Sequence, residues 1–221
     1  MLTVRSCYQP TNYYHNFRHA IDVLQATFQI FLLSNLIPPL PSPNAPVPEP
    51  LPALLPEGYF GPFEILALCI SAVGHDAAHP GVTNAFLTAS KSSLATIFNQ
   101  HSVLENLHCL TISRIVEERW PSLFADHDNT GTGDGARFRK FILEMILSTD
   151  MALHFDYMSK FEGLRNNISQ AIDEKQKWLV GCCVMKSADI SNLVHPLPTS
   201  QALWPCLPSQ YYDANGCRHV R

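Results

Sequence analysis

Apolar positions recur at three- and four-residue steps along most of the chain, the spacing of one buried helix face. From Asn16 to about Asn35 they are Phe17, Ile21, Leu24, Phe28, Phe31 and Leu32. A second helix is expected from Phe63 to about His79, where Pro80-Gly81 stops it. Short helical pieces follow at 84–88 and 93–99. A longer one, 102–119, carries Val103, Leu104, Leu107, Leu110, Ile115 and Val116 on its apolar side. Helices are expected again over 136–155, 159–168 and 172–188. No run alternates with period two and no segment repeats, so the pattern predicts an all-α architecture.

Two stretches interrupt this pattern. Ten prolines fall between Pro38 and Pro62, and a residue that fixes φ and lacks a backbone donor excludes helix or central strand there. Residues 37–62 therefore read as an exposed, partly polyproline-like insertion. The run DHDNTGTGDG at 126–135 reads as a Gly-rich loop. It begins like a calcium loop with Asp-x-Asp, but no Glu closes it at the required place.

Composition narrows the class. The chain has 221 residues, 46% of them hydrophobic and 15% charged, enough apolar material for one packed domain. A net charge of −4 without a basic run excludes a nucleic-acid backbone reader. The longest apolar stretch, Phe63–Val73, is too short to span a bilayer, and MLTVRSCYQP has no signal-peptide character. No membrane partner is expected, and the expected location is intracellular, in the cytoplasm. Seven cysteines without a CxxC spacing fit neither a disulfide framework nor a thiolate zinc site. The sequence sets no oligomeric state.

Chemistry concentrates in three places: YHNFRHAID, which holds His15 and His19; GHDAAHPG, which holds His75, Asp76 and His79; and KSADISN, which places Asp189 at the end of an apolar helix. Residues four apart share a helix face, so each His pair is expected on one. A carboxylate at the end of an apolar helix is costly unless paired or bound to a cation. Together two imidazoles and two carboxylates can surround a divalent ion, nitrogen donors favouring zinc and carboxylates with water favouring magnesium or manganese.

Five ordered blocks, YHNFRHAIDV, HDAAHPGVTN, SVLENLHC, ILSTDMALHF and KSADISN, resemble the signature blocks of class I 3′,5′-cyclic nucleotide phosphodiesterases, and the internal Pro-rich insertion resembles fungal members. The resemblance runs from about residue 8 to residue 204, with 205–221 a non-matching tail. It implies an all-helical HD-domain bundle that hydrolyses a cyclic nucleotide, cyclic AMP more readily than cyclic GMP, to the 5′-monophosphate in signal transduction. By the same resemblance His19, His75, Asp76 and Asp189 hold a first ion, zinc. Asp76 bridges to a second, magnesium or manganese, and His15 is the general acid. His79, Glu105, Thr149 and Asp150 orient the waters and the phosphate, and Asn84 and Asn192 shape the substrate pocket.

Two departures stand out. Leu107 occupies the first position of a pair that is commonly His-His in the family, and His108 keeps the second. Beyond Trp204 neither the glutamine nor the aromatic that hold the purine can be assigned, so a bundle missing its C-terminal helices is expected. The alternatives are a catalytically inactive metal-binding remnant or regulatory partner, and an HD-superfamily phosphohydrolase acting on non-cyclic nucleotides.

Overall fold

The structure, a computed structural model, describes residues 2–34, 36–37, 58–125, 133–166 and 173–191. Most of the Pro-rich insertion, residues 126–132 of the Gly-rich loop, Asn192 and the 205–221 tail lie outside the described residues. Among the described residues there is no strand. The elements are α1 (Leu2–Ser6), α2 (Phe17–Leu33), α3 (Pro62–Gly74), α4 (Asn84–Ala89), α5 (Ser93–Ile97), α6 (Val103–Arg119), α7 (Asp134–Leu147), α8 (His154–Asn166) and α9 (Glu174–Asp189). Two 3₁₀ turns lie at Pro121–Leu123 and Met151–Leu153. None of the described helices is long and apolar enough to cross a membrane.

The bundle is organised around α3, whose only charged residue is Glu64 near its start. A helix apolar on nearly every side belongs in the middle, and α3 packs against α2, α6, α7 and α9. Ala67, Leu68 and Ala72 of α3 meet a core that includes Val23 and Phe31 of α2, Ile142, Met145 and Ile146 of α7, and Met185 of α9. Leu87, Ala95, Val103 and Leu104 form a smaller cluster under α4, α5 and the start of α6. Pro62 opens α3, and the Glu64 carboxylate accepts the Gly61 N–H at 2.8 Å. Arg137 of α7 bridges Glu64 at 3.0 Å and Glu174 of α9 at 2.7 Å, joining three helices at the end where α3 begins.

Three expected boundaries shift. The helix expected to reach His79 ends at Gly74, because Ala78 adopts the left-handed region (φ 65°) with its N–H donated to the Cys7 carbonyl. The residue before a proline also avoids helical backbone, which holds His79 outside. The single helix expected over 136–155 breaks after Leu147. Ser148 and Thr149 return their hydroxyls to the Met145 and Ile146 carbonyls, and Asp150 accepts the Ala152 N–H, so side chains replace the next helical turn. The pattern also does not announce α1, one turn long, or the start of α8 at His154.

The cysteines follow their burial. Cys109 and Cys182 are buried, and desolvation pushes their thiols up to about 12 and about 11. Only the thiolate reacts, so in the native protein at about pH 8 both are expected to resist iodoacetamide and to react once it is denatured. Mass spectrometry of the alkylated peptides reads this out, and rapid native labelling of either would contradict the packing described.

Candidate metal centre

Three helix ends meet on one side of the bundle. Asn16 caps α2, its side-chain oxygen accepting the N–H of Arg18 (2.9 Å) and His19 (3.3 Å), and this fixes His19 in the first turn. His75 and Asp76 follow directly on the last residue of α3, and Asp189 is the last residue of α9. His19 and His75 are each 1% exposed, and Asp76 is buried with them.

The distances between these groups define the cluster. His19 Nε2 lies 3.0 Å from Asp189 Oδ1 and 3.3 Å from His75 Nε2. His75 Nε2 lies 3.3 Å from both Asp189 Oδ1 and Asp76 Oδ2, and His19 Nε2 lies 3.7 Å from Asp76 Oδ2. A cation bound at 2.0–2.1 Å by nitrogen and oxygen donors sets ligand edges of about 3–3.5 Å. Four of the five edges fall within that span, and the fifth, His19–Asp76 at 3.7 Å, lies just beyond it.

Hydrogen bonding orients the donors inward. His75 donates Nδ1–H to the Ala72 carbonyl at 2.9 Å, so the Nε2 lone pair faces the cluster. Asp76 Oδ2 is buried without a hydrogen-bond partner. Two lone pairs held 3.3 Å apart repel unless a proton or cation lies between them. Burial opposes the charged form of His75, but Asp76 and Asp189 outweigh it and lift the imidazole to about 10. Burial raises the Asp76 carboxyl, yet the surrounding histidines, His75 first, hold it down at about 2. Asp189 is likewise held below the usual carboxylate range by His75 and His19. The donor set fits a borderline-soft divalent ion.

A second group adjoins the first. A nitrogen of His15, a nitrogen of His79 and an oxygen of Asp76 lie within 4.8 Å of one another. His15 precedes the Asn16 cap and His79 follows the left-handed Ala78, so neither His pair shares a helix face as the spacing suggests. His15 instead stacks on His79, ring centroids 4.0 Å apart and 11° from parallel. His79 stacks in turn on His108 at 5.7 Å. The Gly81 N–H donates to His79 Nδ1 at 3.0 Å, and His108 donates Nδ1–H to the Ala77 carbonyl at 2.7 Å. Burial lowers all three imidazoles, His79 to about 3 and His108 to about 4.

Of the remaining expected residues, Asn84 and Glu105 pair with each other, Asp150 holds the start of α6, and Thr149 turns back on α7. Asn84 donates to both Glu105 oxygens (3.0 and 3.3 Å), while its oxygen accepts the Leu104 N–H at 2.8 Å. Burial raises the Glu105 carboxyl, and the charges of Asp150 and Asp76 add to the rise. Asp150 accepts the Ser102 hydroxyl at 2.7 Å, where Ser102 takes a left-handed backbone (φ 40°) to start α6. The Thr149 hydroxyl bonds the Ile146 carbonyl.

Sequence reasoning missed three contributors. Lys186, 7% exposed, donates Nζ to the carbonyls of Ser148 (2.8 Å) and Asp150 (3.5 Å) and lies 5.4 Å from the Tyr157 ring centre. A lysine placed directly after the apolar run Val180–Met185 is a readable signal for this. Asn12 donates Nδ2–H to the carbonyls of His15 (3.1 Å) and His79 (2.9 Å). Nothing periodic marks Asn12 or Ser102.

The fold and this centre define an all-helical domain built around a His/Asp group able to hold divalent ions. The family model described as 3′5′-cyclic nucleotide phosphodiesterase matches residues 14–215, and the chain belongs to that family. It is 34% identical over 209 residues to 3′,5′-cyclic-nucleotide phosphodiesterase 2 of Saccharomyces cerevisiae, covering 94% of this chain and 32% of the relative. It is 32% identical to a 3′,5′-cyclic-AMP phosphodiesterase (isoform F) of Drosophila melanogaster, covering 90% and 28%. It is 28% identical to the human high affinity cGMP-specific 3′,5′-cyclic phosphodiesterase 9A, covering 91% and 30%. The crystal structure of the phosphodiesterase domain of a RhoPDE fusion protein from the choanoflagellate Salpingoeca rosetta superposes with a TM-score of 0.73 at 30% identity, covering 92% of this chain and 57% of that one. The chain thus spans about a third of the length of these curated relatives.

Proposed function

We propose that the chain carries the metal-binding and proton-donating half of a cyclic nucleotide phosphodiesterase centre that hydrolyses 3′,5′-cyclic nucleotides to 5′-monophosphates. The observation that carries the reading is that His19 and His75 lie 3.3 Å from each other and each 3.0–3.7 Å from both Asp76 and Asp189, with His15 close to Asp76. These four residues would hold zinc, and Asp76 would also face a second ion, magnesium or manganese. When bound, the ions supply charge neutralisation at the phosphate and a more acidic water.

The protein's own groups do the rest. The departing 3′ oxygen is a poor leaving group until protonated, and His15, at the edge of the cluster and partly exposed, can deliver that proton. Burial lowers the His15 imidazole, so in the free protein it gives up its proton early, whereas a bound phosphodiester anion beside it favours the charged, donating form. His79 keeps Nε2–H available to a phosphate oxygen because its Nδ1 is engaged by Gly81. Glu105, Asn84, Thr149 and Asp150 brace the surrounding wall. Asn192, outside the described residues, would belong to the substrate pocket. A preference for cyclic AMP is proposed with it, resting on the resemblance of the Pro-rich insertion to fungal members rather than on identity, which is 32% to a relative named for cyclic AMP and 31% to one named for cyclic GMP.

The test is product analysis with the purified chain, zinc and magnesium. Cyclic AMP is expected to yield 5′-AMP with a higher kcat/KM than cyclic GMP. His15→Ala is expected to lower kcat about 10²–10⁴-fold while the metal content stays the same. A chain that takes up both ions and leaves both nucleotides intact refutes the reading.

A further inference from the structure

We propose that Asn12 is a positioning residue for His15, its amide locking the His15 and His79 segments together so that the His15 ring is held over the His79 ring. The inference rests on the reading of His15 as the proton donor. It adds a residue from a segment upstream of both histidines.

The geometry is specific to a carboxamide. Asn12 Nδ2 carries two hydrogens and meets two carbonyls, His15 at 3.1 Å and His79 at 2.9 Å, which lie 64 residues apart in the chain. Reversing the amide would set its oxygen against two acceptors, so the bonding fixes its orientation. The backbone of Asn12 is tied down as well, its carbonyl accepting Nδ2–H of Asn16, the α2 cap, at 2.9 Å. On the other side Gly81 closes over the amide. It adopts φ +81°, and a Cβ there would lie 2.8 Å from Asn12 Oδ1. Gly81 also orients the His79 ring through its N–H.

The tie supplies what the two rings lack. His15 lies before the first residue of α2 and His79 beyond the end of α3, so no helical hydrogen-bond ladder fixes either. Stacking between imidazoles is a weak, orientation-tolerant preference. A single side chain that grips both backbones converts it into one defined arrangement, and proton transfer is sensitive to displacements of about 1 Å.

Asn12→Asp tests this directly, since aspartate keeps the size but offers only acceptors. Asn12→Ala, which removes the donors without adding charge, serves if the first variant folds poorly. With zinc bound and the histidine side chains isotopically labelled, the His15 ring protons of the parent are expected upfield, under the ring current of His79. In the variants they return to ordinary positions while zinc per chain is unchanged. In turnover, kcat for cyclic AMP is expected to fall about 100-fold. Hydrolysis of bis(p-nitrophenyl) phosphate, whose leaving group needs no proton, is expected to change less than about threefold. Unshifted His15 resonances in both variants, or equal losses on the two substrates, overturn the proposal. A parent that hydrolyses neither substrate refutes the phosphodiesterase reading, and the resonance arm still decides the role of Asn12.

Discussion

Asp189→Ala is expected to abolish tight zinc binding and, with it, turnover. Asp189 Oδ1 sits 3.0 Å from His19 Nε2 and 3.3 Å from His75 Nε2, closing the donor set from α9. Losing an outer partner of a metal ligand already costs about 10–100-fold in affinity, and a direct donor is expected to cost more. The same experiment has a pH signature. In the metal-free chain His75 holds a proton up to about 10, and that proton must leave before Nε2 can bind a cation. Zinc uptake near neutral pH should therefore release about one proton, and affinity should weaken about tenfold for each pH unit lowered across this range. Calorimetry in two buffers of different ionisation enthalpy measures the release. Asp189→Ala removes one of the two carboxylates that raise His75, so its residual binding is expected to release less. Unchanged affinity and release in the variant would show that Asp189 does not belong to the centre.

Gly74→Ala is expected to damage the same centre without touching a ligand. A Cβ at Gly74 would collide with Cγ1 and Cδ1 of Ile112, a buried residue of α6. Overpacking of this kind costs about 1–3 kcal/mol. Gly74 is the last residue of α3, so the displacement passes directly into His75 and Asp76, and zinc affinity is expected to fall about tenfold or more. Ile112→Ala alone opens a cavity costing about 2–5 kcal/mol. The double variant is expected to be less destabilised than the sum, because the new methyl occupies space the isoleucine vacates. Denaturant melts of the three variants give the coupling, and strict additivity would rule out the contact.

These predictions draw unequally on what the sequence displays. The run Phe63–Val73, almost free of charge, announces a central helix, and α3 is one. The periodic apolar residues of α2 and α6 likewise mark their buried faces. Helix ends were harder to read, because they depend on single hydrogen bonds rather than on summed apolar area. The Cys7 carbonyl that takes the Ala78 N–H and the Ser148 and Thr149 hydroxyls that turn back on α7 leave no periodic trace. The His/Asp cluster is legible in the ordered motif blocks, not in spacing: His19 and Asp189 are 170 positions apart. The four-residue spacing of His15 and His19 suggested a shared face, whereas the neighbour of His15 is His79, reached through a stack and the Asn12 amide.

The meeting of helix ends has an electrostatic corollary. Aligned peptide dipoles leave roughly half a negative charge at a helix C-terminus. Two such termini, those of α3 and α9, meet at the cluster, together with the N-terminus of α2, whose sign is opposite. Local hydrogen bonds answer part of the negative ends: the Ala72 carbonyl takes His75 Nδ1–H, the Gly74 carbonyl the Ala77 N–H, and the Ala188 carbonyl the Ser191 hydroxyl. Two negative ends against one positive leave a small net bias of the main chain toward positive guests, an attraction that would persist at an acidity where both carboxylates had been titrated away.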